Sequence, residues 1–161
     1  AKKYIFETEE DGEWYLLSTS TTKAGANTNR DININIASSY INGKILQPNE
    51  KFSFWDTVGK CTYDKGYKDA TVYNNGKKTK GIGGGVCQVS TTVNMAVKSA
   101  GIKTNARQHS LPVSYASRED EATVSFGNID FKFTNTTGKT IMLVMGAVDG
   151  SCTCEVWAKY E

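Results

Sequence analysis

The stretch Gly83-Gly84-Gly85-Val86-Cys87-Gln88-Val89-Ser90-Thr91-Thr92 puts a thiol directly after the most glycine-dense run of the chain. Behind it, Val89, Val93, Ala96, Val97 and Ala100 recur on one stripe, which predicts a helix over Val86 to Ala100, ended by Gly101. A thiol at a helix entrance feels the positive end of the dipole and unpaired backbone N–H groups, and both favour the thiolate. Glycines before it would let a substrate backbone come close, and the N–H groups around Gly84 and Gly85 would face a developing oxyanion. Gln88, in the first turn, is a further candidate donor to that oxyanion. The same block also fits a small buried cysteine with glycines placed for packing.

A thiol nucleophile needs a base to take its proton and later an acid to protonate the leaving amine; imidazole serves as both. The chain has one histidine, His109, in Arg107-Gln108-His109-Ser110, just after the predicted helix. A nucleophile on a helix followed by a histidine on the next strand is also the arrangement of papain-like and NlpC/P60-like hydrolases. A third group should orient the ring. If strands Ser110–Tyr115 and Ala122–Phe126 pair through a turn near Arg118-Glu119, Asn128 lies opposite His109 and Asp130 lies diagonal to it. Asp130 is then the first choice and Asn128 the second, while a bulged turn would bring up Glu121 instead. Tyr67, Tyr73 and Trp55 are candidate groove walls that fit equally well as core or surface.

Several chemistries are excluded by counting. One histidine rules out a metal centre built on two or three imidazoles, and Cys61, Cys87, Cys152 and Cys154 lack the paired knuckles of a thiolate zinc site. No metal or cofactor is expected. The glycine run lacks both a GKS/T ending and a GxGxxG pattern, so phosphate binding is a poor fit. Scattered lysines and a net charge of +2 give no electrostatic footprint for nucleic acid. No apolar run reaches the ~18 residues of a membrane span, so any export signal or anchor is expected outside this fragment.

The elements that must position the thiol and imidazole follow from pattern. With 161 residues, 39% apolar and 22% charged, the chain suits one folded domain. Tyr4 to Thr21 reads as extended. Asn29 to Ile41 reads as a helix with Ile32, Ile36, Ala37, Tyr40 and Ile41 on one face, stopped by Asn42-Gly43. Lys51 to Trp55 and Ala70 to Tyr73 read as short strands, and Lys77 to Lys80 as a solvated basic run. The last third reads as a meander of strands over Ser110–Tyr115, Ala122–Phe126, Ile129–Asn135, Thr140–Val148 and Cys152–Tyr160. The expected fold is a single α+β domain, mainly antiparallel sheet with two principal helices and Cys87 at the start of the second.

The motifs resemble the VanW family. They run from Asn29-Arg30 and Asn33-Ile34 through Ile41-Asn42-Gly43, Pro48-Asn49-Glu50-Lys51-Phe52-Ser53-Phe54, Val58-Gly59, Gly66-Tyr67 and Ala70 to the GGGVCQVSTT block. They continue with His109-Ser110-Leu111-Pro112-Val113-Ser114-Tyr115, Ala122-Thr123-Val124 and Asp130-Phe131-Lys132-Phe133-Thr134-Asn135. The likeness covers about residues 16 to 145 of a domain taken as 1–161. It departs at Ala106, where the family usually has Arg, and at Glu119 and Glu121, where it usually has Gly and Asp; the latter counts against residue 121 as the group orienting the base.

The resemblance implies cell-envelope work in Gram-positive bacteria, with the domain a fragment of a larger exported, membrane-anchored protein at the wall. It further implies a cysteine L,D-transpeptidase. Cys87 would attack the third-residue carbonyl of a peptidoglycan stem tetrapeptide, and His109 would serve as its base. D-alanine would leave, and a neighbouring stem amine, or water in an L,D-carboxypeptidase, would resolve the thioester. Arg107 is the candidate to hold a stem carboxylate. The expected partners are peptidoglycan stem peptides, with no nucleic acid, no membrane contact within the fragment, and a monomeric state. An NlpC/P60-like endopeptidase or amidase, and a non-catalytic wall-binding module, remain the competing readings.

Overall fold

The computed structural model describes residues 3–5, 13–25, 27–74 and 76–160. Its spine is a five-stranded antiparallel sheet in the order β1-β2-β9-β8-β3, formed by β1 (Lys3–Ile5), β2 (Glu13–Lys23), β3 (Lys44–Leu46), β8 (Ile141–Val148) and β9 (Ser151–Lys159). Two residues per repeat sort the side chains of β8 and β9 onto opposite faces. Ile141, Leu143, Met145, Cys152, Cys154, Val156 and Ala158 enter the main core, while Trp14, Met142 and Trp157 cluster on the other face. Cys152 and Cys154 are therefore buried packing thiols on one strand face, and all four cysteines are free thiols.

Two helices lie on the core face. Helix α1 (Thr28–Ile41) opens on Asn27, whose side chain accepts from the Arg30 N–H at 3.0 Å. It turns Asn33, Ile34, Ala37, Ser38 and Ile41 inward and leaves Tyr40 exposed, so the buried face is rotated from the expected one. The reason is Asn33, a polar residue buried because it ties down the chain near the glycine run. The longer-range helix α3 (Val86–Ser99) packs against β2, β9 and α1. It is buried around most of its circumference, polar residues included.

Two small sheets complete the domain. Strand β4 (Lys51–Ser53) pairs with β7 (Lys132–Thr134), with Phe52 stacked on Phe133 at 4.9 Å between ring centres. Strands β5 (Asp69–Asn74) and β6 (Lys77–Ile82) form a hairpin, so the basic run is one of its strands. A third helix, α2 (Phe54–Val58), starts where the expected strand Lys51–Trp55 was to continue. The Ser53 side chain caps it by accepting from the Asp56 N–H at 3.1 Å.

The expected strands Ser110–Tyr115 and Ala122–Phe126 do not form. Residues 105–131 run as irregular chain with a 3-10 turn at Arg118–Asp120 and a tight turn closed by the Ser125–Ile129 bridge. Pro112 interrupts any ladder there. The polar groups of the segment are met instead by α3 side chains. Ser90 Oγ donates to Ala122 O at 2.5 Å, Ala122 N donates to Thr91 Oγ1 at 3.0 Å, and Asn94 Nδ2 donates to Asp120 O at 2.9 Å.

A thiol and a buried carboxylate–imidazole pair on one segment

Cys87 is the second residue of α3 and is half-buried. Its Sγ lies 3.5 Å from the Val124 N–H, 3.4 Å from Val124 O and 3.8 Å from Thr123 Oγ1. Burial pushes the thiol above its ordinary range, against the Val124 N–H, the Thr123 hydroxyl and the Arg30 guanidinium, which all favour the anion. Burial wins, so the resting sulfur is a thiol rather than the thiolate expected from the helix dipole alone. The dipole is a modest effect confined to the first turn, and desolvation outweighs it here.

The glycines are spent on packing. A Cβ on Gly84 would lie 2.6 Å from the Ala70 carbonyl carbon and Thr71 O, and one on Gly85 would lie 2.8 Å from Arg30 Cγ. Gly83 faces Cys61 in the same way, and Gly85 has φ +108. Asn33 fixes the run from α1: its Nδ2 donates to Gly84 O at 2.8 Å and to Lys68 O at 2.9 Å, and its Oδ1 accepts from Lys68 N. The space expected for a substrate beside Gly84 is thus filled by β5, and the glycines serve to seat the start of α3.

His109 is buried with its carboxylate partner. Glu121 Oε1 accepts from the His109 backbone N–H at 2.8 Å and from Nδ1 at 2.7 Å, with both side chains 1% exposed or less. A carboxylate oxygen can only accept, so Nδ1 carries the hydrogen and Nε2 holds the lone pair. Arg118 closes the cluster, with Nη1 3.3 Å from Glu121 Oε2 and Nη2 donating to His109 O at 3.0 Å. Desolvation is the largest influence on the ring and lowers its affinity for a proton; Glu121 opposes this and Arg118 adds to it. His109 is neutral near pH 7 on this balance.

Thiol and imidazole meet the same short stretch, residues 121–124. Thr123 N donates to Arg107 O at 2.9 Å, so the chain leading to His109 runs beside it. Glu121 holds the ring at one end and Thr123 and Val124 touch the sulfur at the other, while Ser90 and Thr91 clamp the Ala122 between them. Tyr115 stands edge-on to the imidazole at 6.4 Å, and the Arg30 guanidinium lies 5.6 Å from the Tyr115 ring centre. Arg30 also passes over Gly85, so α1 contributes a cation to the same corner.

The remaining sequence candidates lie elsewhere. Asp130 accepts from Ser53 Oγ and, at 3.1 Å, from Trp55 N, so it anchors α2 and does not orient His109. Asn128 sits in the 125–129 turn. Their expected place rested on a hairpin that the irregular chain replaces: residues 107 and 123 run side by side, so the loop is wider and the carboxylate at the ring is Glu121. Gln88 is fully buried against the sheet side, donating to Thr22 Oγ1 at 3.0 Å and Gly150 O at 3.1 Å, away from the thiol's contacts. Arg107 projects an exposed side chain. Tyr67 is core, its hydroxyl beside Cys61, and burial raises both groups. Trp55 donates from Nε1 to Ile129 O and meets exposed Phe126 edge-on at 5.4 Å, and the Tyr73 side chain lies outside the described residues.

Thr123, Val124, Arg30, Arg118 and Tyr115 carried no assigned role from sequence. Glu121, expected only for a bulged turn and counted against by its departure from the family pattern, is the residue that holds the ring. Among the described residues no group of three or more His, Cys, Asp or Glu could hold a metal ion, and no helix is long and apolar enough to cross a membrane.

A helix-borne thiol clamped to the segment that carries a buried Glu–His pair matches the VanW blocks of the sequence. The family model described as VanW like protein matches residues 29–157, and the chain belongs to that family. The chain is 39% identical over 145 residues to the uncharacterized protein YoaR of Bacillus subtilis strain 168, covering 89% of this chain and 46% of that protein. It is 30% identical over 142 residues to the vancomycin B-type resistance protein VanW of Enterococcus faecalis, covering 83% of this chain and 46% of that protein. The chain therefore spans about half the length of these curated relatives. No solved structure matches it.

Proposed function

We propose that this domain is a cysteine acyltransferase acting on peptidoglycan stem peptides, an L,D-transpeptidase. The observation that carries the reading is the joint attachment of Cys87 and the His109–Glu121 pair to residues 121–124. Glu121 sets the tautomer in which Nε2 accepts a proton, the role a general base requires. In the proposed reaction the Cys87 proton passes to His109 Nε2 as sulfur attacks the third-residue carbonyl. The tetrahedral oxyanion collapses, breaking the bond to D-alanine, whose amine takes the proton from the imidazolium. The thioester then passes its acyl group to a stem amine, which gives its proton to His109 as the C–S bond breaks, and the imidazolium returns that proton to the Cys87 sulfur. Starting from a neutral thiol and neutral imidazole, the proton moves with the attack, and an ion pair at rest is not needed.

The test is incubation with a disaccharide-tetrapeptide and mass spectrometry of the products, native against Cys87→Ala and His109→Ala. Dimers joined between third residues, with release of D-alanine and loss in both variants, support the proposal. Cleavage products without dimers assign the same site to hydrolysis, and no Cys87-dependent change overturns the enzymatic reading.

A further inference from the structure

A surface groove of about 1010 Å³ has none of Cys87, His109 or Glu121 in its wall. It lies over the β4–β7 sheet and is lined by Lys44, Lys51, Lys103 and Lys132, with Asp56 the one carboxylate among the described residues in its wall. The whole chain has 19 basic and 17 acidic residues, so four lysines against one acid in one groove is a strong local excess. Among the described residues none of the four lysines forms an ion pair.

The strand register makes this crowding a built feature. Lys51 pairs with Thr134 and Ser53 with Lys132, so Lys51 and Lys132 are diagonal neighbours on one face of the sheet, with Phe52 and Phe133 turned to the core. Both side chains are exposed and rise from that face, so their ammonium groups share the groove. Ser53, Thr57, Thr134, Thr136 and Asn105 supply neutral hydrogen-bonding groups in the same wall. The groove has no arginine. Lysines act as non-directional point charges, which suits a flexible chain of spaced anions better than one planar carboxylate held in a fork.

We propose that this groove binds a linear polyol phosphodiester, a chain of phosphates separated by hydroxylated carbons, independently of the Cys87 site. Such a polymer offers one charge per repeat to the lysines and hydroxyls to the Ser, Thr and Asn side chains. The salt dependence is then set by how many lysines are engaged: a fourfold rise in salt weakens binding about threefold for each one.

The experiment measures binding of fluorescent poly(glycerol phosphate) to the native chain, to Lys51→Gln/Lys132→Gln, and to Lys77→Gln/Lys80→Gln as a control of equal charge on the β5–β6 hairpin. Single-stranded DNA and poly-glutamate serve as competing polyanions, and circular dichroism checks folding of each variant. The proposal expects saturable binding, a loss of about tenfold in the Lys51/Lys132 variant with a shallower salt slope, native binding in the control, and weaker binding of the two competitors. Equal losses in both variants, equal affinity for all three polymers, or no binding at low salt would overturn it. Iodoacetamide labelling of Cys87 should be unchanged throughout, so failure here leaves the acyltransferase reading standing.

Discussion

Glu121 accepts two hydrogen bonds on one oxygen from a single residue, the backbone N–H and the Nδ1–H of His109. The double contact fixes both where the imidazole sits and which nitrogen bears its hydrogen. It also explains how a carboxylate survives full burial, since Arg118 reaches the second oxygen from the partly exposed side. The ring is therefore held by the loop it belongs to, and that loop is held by α3.

The first prediction concerns this carboxylate. In Glu121→Gln the amide oxygen still meets both His109 donors, but the negative charge that stabilises the imidazolium formed during attack is gone and the N–H₂ faces Arg118. Turnover of a disaccharide-tetrapeptide should fall about a hundredfold or more, while circular dichroism stays native. Glu121→Ala should instead destabilise, because it leaves His109 Nδ1 buried without its acceptor, at a cost of about 1–3 kcal/mol. Undiminished turnover in the Gln variant would remove Glu121 from the site.

A second prediction follows from the buried thiol. The rate of Cys87 alkylation by iodoacetamide should rise with a midpoint above that of an ordinary cysteine, because burial disfavours the anion. Arg30 favours the thiolate, so Arg30→Gln should move the midpoint higher still. Cys152 and Cys154, buried in the sheet, should label only after unfolding. A midpoint below neutrality would show that the helix dipole and Arg30 outweigh desolvation.

Stability should depend on pH through His109. Its folded proton affinity is lowered, so between the unfolded value, near 6.5, and the lower folded value the unfolded chain binds more protons. This contribution is fully present above the unfolded value and is lost as pH falls through the folded one. Urea midpoints should drop between pH 7 and pH 5 in native protein, and the drop should be smaller in His109→Gln. An equal drop in both would assign the acid sensitivity to other groups.

Two glycines should separate crowding from backbone strain. Gly84→Ala puts a methyl 2.6 Å from β5 backbone atoms that cannot rotate away, and should cost about 1–3 kcal/mol or more. Gly43 has φ +85 and open space around it, so Gly43→Ala should cost only about 1–2 kcal/mol. Thermal midpoints of the two variants read the difference, and an unperturbed Gly84→Ala would mean that the glycine run is free to move.

Much of the scaffold was legible from side-chain period. The stripe from Val89 to Val97 marked α3, and the alternations in residues 140–148 and 152–160 marked β8 and β9. Period failed where polar side chains replace a backbone ladder. Ser90, Thr91 and Asn94 bind the 120–122 backbone, and this erases the hairpin on which Asp130 had been placed. Asn33 likewise lies off the expected apolar face of α1 but is buried to hold Gly84 and Lys68. Both cases put a tertiary hydrogen bond where the sequence offers only a polar residue at helical spacing, so no local pattern signals them.

The most direct test is intact-mass spectrometry of the protein mixed with a stem tetrapeptide and no acceptor. The expected product is an adduct equal to the peptide less D-alanine, on Cys87 alone, absent in Cys87→Ala and formed far more slowly in His109→Ala. An adduct that persists in Cys87→Ala, or none in native protein that is folded and exposed to a donor bearing a third-residue diamino acid, would contradict the proposal.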